Sequence, residues 1–137
     1  MFKLHPNFSN HAHIVDLDLC TVLLQDRAAY PWVLLVPRLP NLSKIMDLKI
    51  ENQLKFVHEM DLAQNILWKL FLPEQLNVAA IGNKTPQLHI HIIARYLNDP
   101  AWPDTVWDHS EQTPYTSENK KIMIENLQAA FTSKKMN

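Results

Sequence analysis

The stretch Gln87-Leu88-His89-Ile90-His91-Ile92-Ile93 sets two imidazoles two residues apart in an otherwise apolar run. In an extended chain side chains alternate faces, so Gln87, His89, His91 and Arg95 project from one side while Leu88, Ile90 and Ile92 project from the other. The apolar set fixes the register, because a slip of one residue would bury the imidazoles and expose leucine and isoleucine. Residues two apart in a strand lie roughly 7 Å from each other, comparable with a phosphate group and its attacking and leaving atoms. One imidazole can then attack phosphorus while its neighbour binds an oxygen. Imidazole is uncharged and nucleophilic near neutral pH, so the attack needs no strong base, only the right tautomer held in line with the scissile bond. Charge developing on the phosphoryl oxygens would be met by the second imidazole and by turn amides around Lys84 and Thr85. Lys84 is itself a candidate phosphate contact, against the plainer reading of a solvated turn lysine.

These side chains need a sheet to carry them. With 137 residues, of which 47% are hydrophobic, the chain can bury one core and is too short for two ordinary domains. The expectation is one domain over residues 1–137, with a core over about 12–108 and a C-terminal helix over about 116–132. Alternating apolar and acidic residues predict a strand over 14–19, and denser apolar runs predict strands over 21–24 and 32–36. Asp47 is the expected cap of a long helix over 48–71, in which Phe56, Met60, Ala63, Leu67 and Leu70 recur at helical spacing and Pro73 marks the end. At about 1.5 Å per residue such a helix runs about 35 Å, enough to cross a small sheet. A strand over 75–81 and a turn over 82–86 follow, with Gly82 placed where a positive φ is expected. The histidine strand then covers 87–95. Residues 97–115 read as an irregular segment held down by Trp102 and Trp107, and a last helix covers 117–131, with Thr116 as its cap and Ile122, Leu127 and Phe131 among its apolar residues. Consecutive strands, one crossing helix and further strands give an α+β class with an antiparallel sheet and its helices on one side.

Composition excludes several chemistries. A single glycine, Gly82, rules out the phosphate-cradling loops that need several. A net charge of -1 and the lack of a basic run give no footprint for a nucleic-acid polymer. The lone cysteine, Cys20, rules out an internal disulfide framework and paired-thiolate zinc sites, and reads as a small buried strand residue. No stretch reads as a signal peptide or membrane span, so a cytoplasmic protein is expected.

Residues 87–93 resemble the signature of the histidine-triad (HIT) superfamily, a strand of the form His-φ-His-φ-His-φ-φ with φ apolar, with Gln87 at the first histidine position. The succession of elements over residues 16–107 is similar to that of a whole HIT domain. The resemblance implies a HIT-like α+β fold, with an antiparallel sheet, one long central helix and a C-terminal helix. It implies a hydrolase or nucleotidyl transferase cleaving at the α-phosphorus of a nucleotide conjugate, of the dinucleoside polyphosphate or nucleoside phosphoramidate type. His89 would be the nucleophile that forms a nucleotidyl-histidine intermediate, without metal or other cofactor, and His91 would bond a phosphoryl oxygen. In the family the first-position residue orients the nucleophile through its backbone carbonyl, which Gln87 retains while removing one imidazole. Asp26 resembles the acidic residue that binds ribose hydroxyls, and Asn83 an asparagine lining the nucleotide site; both are also ordinary turn residues. Leu39-Pro40-Asn41 stands where the family often carries a further histidine, which puts substrate preference and rate in question. Trp102-Pro103 resembles a pair that lies near a partner subunit's site in some HIT proteins, with a surface-pinning tryptophan as the alternative. A homodimer is expected by the same resemblance.

Four other readings stand beside this one. Reading His89 as the first motif position would make His91 the nucleophile and leave apolar Ile93 third, and it ranks second. Imidazoles two apart on a strand can also share a metal ion, with His5, His11, His13, His58 or His109 as a third ligand. His11-Ala12-His13 repeats the spacing but reads as surface decoration near a loose terminus. Lastly, the site could hold a nucleotide without turnover, or the two histidines could be structural.

Overall fold

The computed structural model describes residues 1–135. One antiparallel sheet is built from β1 (Ala12–Asp16), β2 (Cys20–Leu24), β3 (Trp32–Pro37), β4 (Gln75–Ala79) and β5 (Ile90–Arg95), in the spatial order β1-β2-β3-β5-β4. Helix α1 (Ile50–Phe71) carries the chain across the sheet from β3 to the edge position of β4, which leaves the gap that β5 fills. Helix α2 (Ser117–Lys135) packs with α1 on the same face. The α+β class, the antiparallel sheet and both helices are as the sequence leads one to expect.

β2, β3 and β5 are buried along their whole length because both faces of the sheet are covered. On the helix side Val22, Leu24, Val33, Leu35, Ile90 and Ile92 meet Phe56, Ala63 and Leu67 of α1 and Leu127 and Phe131 of α2. On the other side Leu23, Trp32, Leu34 and Ile93 meet Phe8 from the N-terminal segment and Ala101 and Val106 from the segment after β5. That second segment is pinned by Arg95, whose guanidinium binds the Asp99 carboxylate at 2.8 Å and also reaches Asn77 and the Asp104 carbonyl.

Several boundaries depart from the sequence reading for physical reasons. β1 begins at Ala12 and ends at Asp16, because the amide of Leu17 closes a hairpin onto the Cys20 carbonyl. The buried carboxylate of Glu59 then takes the amides of Leu19 and Cys20 at 2.7 and 2.8 Å, so the apolar-acidic alternation runs through a turn. Asp47 does not cap α1. Its carboxylate accepts from the Ser43 and Lys44 amides and caps the single turn Ile45–Asp47, and α1 starts after Lys49. Leu72, in the left-handed conformation at φ 45°, ends α1 just before Pro73. In the helical stripe, Phe56, Ala63 and Leu67 are core, whereas Leu70 is exposed and Ile66 takes the buried place. Ile122 likewise points outward from α2. Gly82 has no positive φ, which is found instead at Asn41 and Leu72.

Other expectations hold. The Thr116 hydroxyl accepts from the Asn119 amide and caps α2. Cys20 is fully buried, and burial together with the neighbouring Glu59 carboxylate pushes its thiol well up from the ordinary range. Among the described residues, no helix is long and apolar enough to cross a membrane.

Candidate active site

His91 lies within β5, paired with Leu34 of β3 and Ala79 of β4, while His89 stands just before the strand on an extended stretch tied down by the Leu88 amide on the Leu42 carbonyl. The histidine strand is therefore shorter than residues 87–95, but the alternation survives. The two rings meet edge to face with centroids 4.8 Å apart, and Leu88, Ile90 and Ile92 point into the helix-side core.

Each ring has its tautomer set by one bond. Nδ1 of His89 lies 2.7 Å from the Gln87 carbonyl oxygen, which can only accept, so Nδ1 carries the proton and Nε2 keeps its lone pair. For His91 the polarity is reversed. The indole Nε1–H of Trp32 donates to its Nδ1 at 3.0 Å, so the neutral ring carries its proton on Nε2. One imidazole thus offers a nucleophilic nitrogen and the other a hydrogen-bond donor.

The surroundings are drier than the alternation implies. His89 and His91 are 5% and 8% exposed, so both faces of β5 are buried and the expectation of a wet imidazole face is overturned. The edge of Phe8 packs on His89 and that of Trp107 on His91, each at 5.0 Å between centroids. Burial pushes the pKa of His89 down against the Gln87 carbonyl, which favours the cation. His91 is pushed down to about 3, first by burial and then by repulsion from His89 and His11. Both rings are therefore neutral at neutral pH.

A cleft of about 630 Å³ opens beside His89. Lys44, Met46, Ile81, Asn83, Pro86 and Gln87 line it together with His89. Of the residues singled out from the sequence, His89, Gln87, Asn83 and Gly82 line it, and His91 does not line it but meets the His89 ring edge to face. Lys84 is exposed and does not line the cleft. Thr85 is buried, its hydroxyl accepting from Asn7 Nδ2 at 2.9 Å. Asp26 is turned to the C-terminal segment, where its carboxylate accepts from the Tyr115 amide at 2.9 Å and from Lys120 Nζ at 3.4 Å.

Four residues here were invisible to sequence pattern. Trp32 and Trp107 reach the site from a strand end and an irregular segment, and nothing in their spacing announces it. Phe8 and His11 arrive from the N-terminal segment. His11 is not surface decoration: its ring packs against Phe8 at 5.6 Å, its Nε2 lies 2.7 Å from Gln25 Oε1, and its Nδ1 is buried without a partner. His13 does lie outside, against Asp16. Among the described residues, no group of three or more His, Cys, Asp or Glu side chains is placed to hold a metal ion.

The HIT domain family matches residues 8–98, well over half of the chain and inclusive of both imidazoles. This chain belongs to that family. The fold of this HIT protein is shared with a histidine triad protein of Marinobacter aquaeolei at 37% identity and a TM-score of 0.92, over 97% of this chain and 98% of that one. A histidine triad protein of Bradyrhizobium japonicum is 36% identical with a TM-score of 0.90, over 94% and 97% of the two chains. A third, from Sinorhizobium meliloti, is 29% identical with a TM-score of 0.90, over 95% and 97%. No curated protein matches the chain in sequence. Membership in the HIT family supports a nucleotide-binding, hydrolase-type function in general terms.

Proposed function

We propose that this HIT protein cleaves nucleotide conjugates at the α-phosphorus through a covalent intermediate on His89. One observation carries the reading: the Gln87 carbonyl holds the proton on His89 Nδ1, leaving Nε2 as the free nitrogen of a ring that borders the cleft. In the first step Nε2 forms a bond to phosphorus and the bond to the leaving group breaks. The ring becomes cationic, and the Gln87 carbonyl stabilises it through Nδ1–H. The Nε2–H of His91, fixed by Trp32, donates to a phosphoryl oxygen as charge builds there. In the second step water attacks phosphorus, the N–P bond breaks, and a nucleoside monophosphate leaves; an alcohol or phosphate in place of water makes the reaction a nucleotidyl transfer.

Asn83, which lines the cleft, is assigned to the nucleotide; Lys84 and Thr85, in the adjoining turn but outside the cleft lining, join it only if Lys84 swings inward and Thr85 gives up Asn7. Asp26 is assigned to the ribose hydroxyls, a role in which it must share its carboxylate with Tyr115 and Lys120 or release them. A cytoplasmic homodimer completes the proposal. The solitary buried thiol supports a reducing compartment, and the apolar residues left exposed along α1, Ile50, Leu54 and Val57, support association.

A second reading, a nucleotide-binding module without turnover, is favoured by the cover that Phe8 and Trp107 place over both rings. Incubation with a dinucleoside polyphosphate or a nucleoside phosphoramidate, with and without chelator and without added metal, separates these two and a metal site. The enzyme releases a nucleoside monophosphate. A module gives a ligand-dependent rise in Tm and no product, and a metal site loses its activity to the chelator.

A further inference from the structure

The glutamine at the first motif position has a second task, carried by its side chain. The Gln87 carboxamide turns away from His89 to the N-terminal segment, where Oε1 accepts from the His5 amide and Nε2 donates to the Lys3 carbonyl, each at 2.8 Å. A carboxamide presents acceptor and donor side by side in one plane, so it pairs with a peptide backbone as a neighbouring strand would. Asn7 adds a second tether through Nδ2 to the Thr85 hydroxyl. The turn Pro6–Phe8, which carries the Asn7 tether, is closed by the Phe8 amide on the His5 carbonyl at 2.9 Å, and it sets Phe8 on the His89 ring and against His11.

We propose that the Gln87 side chain is a positioning residue that clamps residues 3–11 across the imidazole face and thereby sets the solvation and orientation of the His89 ring. Its bearing on catalysis rests on the reading of His89 as nucleophile; the clamp itself does not. A histidine at position 87 cannot replace the carboxamide, because its two ring nitrogens point in divergent directions and cannot meet a donor and an acceptor on the same stretch of backbone. The clamp adds to the packing of Phe2, Leu4 and Phe8 against this side of the sheet, because it satisfies backbone polar groups of the segment with a side chain of the motif. The titratable groups around His89 on the packed elements are His91 on β5, His11 ahead of β1, and His5, whose ring touches the far side of Phe8 at 6.4 Å.

The test is the reactivity of His89 toward diethyl pyrocarbonate, mapped by peptide mass, together with hydrogen exchange of the His5 and Phe8 amides. Wild type, Gln87→Ala, Gln87→His and Gln87→Glu are compared. Loss of two ordinary hydrogen bonds raises the open population by about thirtyfold, so His89 acylation and exchange at both amides rise by that factor in Gln87→Ala. Gln87→His behaves like the alanine variant. Gln87→Glu falls between, since it keeps an acceptor for His5 and sets a carboxylate against the Lys3 carbonyl; it gives the same sign if the alanine variant does not fold. Exchange within β3 stays unchanged, and the His89 ring titration moves up toward the ordinary histidine value as water returns. Wild-type protection in Gln87→Ala, or in Gln87→His, overturns the clamp. None of these readouts uses a substrate, so a chain that shows the expected pattern without turnover counts against the proposed function and leaves the clamp intact.

Discussion

The two faces of β5 and of the residues leading into it are built by different physics. Leu88, Ile90 and Ile92 sit in a core where any well-shaped apolar neighbour serves, and Phe56, Ala63, Leu67, Leu127 and Phe131 supply it from two helices. The opposite face holds His89, His91 and Arg95, and each is fixed by directional bonds, from nearby residues through the Gln87 carbonyl and Asp99 and from other strands through the Trp32 indole and Asn77. The first face needs only volume and pattern. The second needs particular atoms at particular distances, and it is dry without being apolar.

Substitutions should break the two faces in different ways. The largest effect is expected from His89→Ala, which lowers turnover of a nucleotide conjugate by about a thousandfold or more while leaving the denaturation midpoint near that of wild type. A variant that retains even a tenth of the activity would move the chemistry away from His89. On the helix face, Phe56→Ala is expected to cost about 3–5 kcal/mol of stability through the cavity it leaves. Its turnover per folded molecule should stay unchanged, as read by urea denaturation alongside initial rates. A proportional loss of kcat would join the two faces into one unit.

These differences decide what could be read from residues alone. The strands, the crossing helix and the alternation of residues 87–95 were legible because burial against any apolar partner leaves a period in the sequence. The boundaries at Asp16 and Asp47 were not, since a turn closed by Glu59 and a carboxylate reaching back to Ser43 depend on contacts 40 and 4 residues away. Half of the site followed from the motif: His89, His91 and the Gln87 carbonyl stand as it implies, and Asn83 reaches the cleft. Phe8, His11, Trp32 and Trp107 were illegible because single side chains delivered by irregular segments leave no period to detect.

A finer break comes from Trp32→Phe, which keeps an aromatic ring and deletes only the N–H that donates to His91 Nδ1. With its tautomer no longer fixed, His91 offers its proton on the productive nitrogen less often, and kcat should fall about tenfold with KM little changed. An equal rise in KM with unchanged kcat would place Trp32 in ground-state binding instead. A separate effect is on stability against pH. His91 is neutral in the folded chain down to about 3, chiefly through burial, whereas the unfolded chain protonates it near 6.5. Between those values the unfolded state binds more protons, so stability rises with pH across the window and levels off above it. The contribution has a slope of about 1.4 kcal/mol per pH unit. Urea midpoints of wild type minus those of His91→Gln isolate it, and a difference that is flat from pH 4 to pH 6 would show that the ring is not kept neutral.

The central claim is that Nε2 of His89 becomes bonded to phosphorus. Wild-type chain mixed with a dinucleoside polyphosphate in chelator, quenched within one turnover and weighed intact, should carry one acid-labile nucleotidyl group. Peptide mapping should place it on His89, and His89→Ala should carry none. A group mapped to His91, or turnover by wild type with no covalent species at any quench time, contradicts the account.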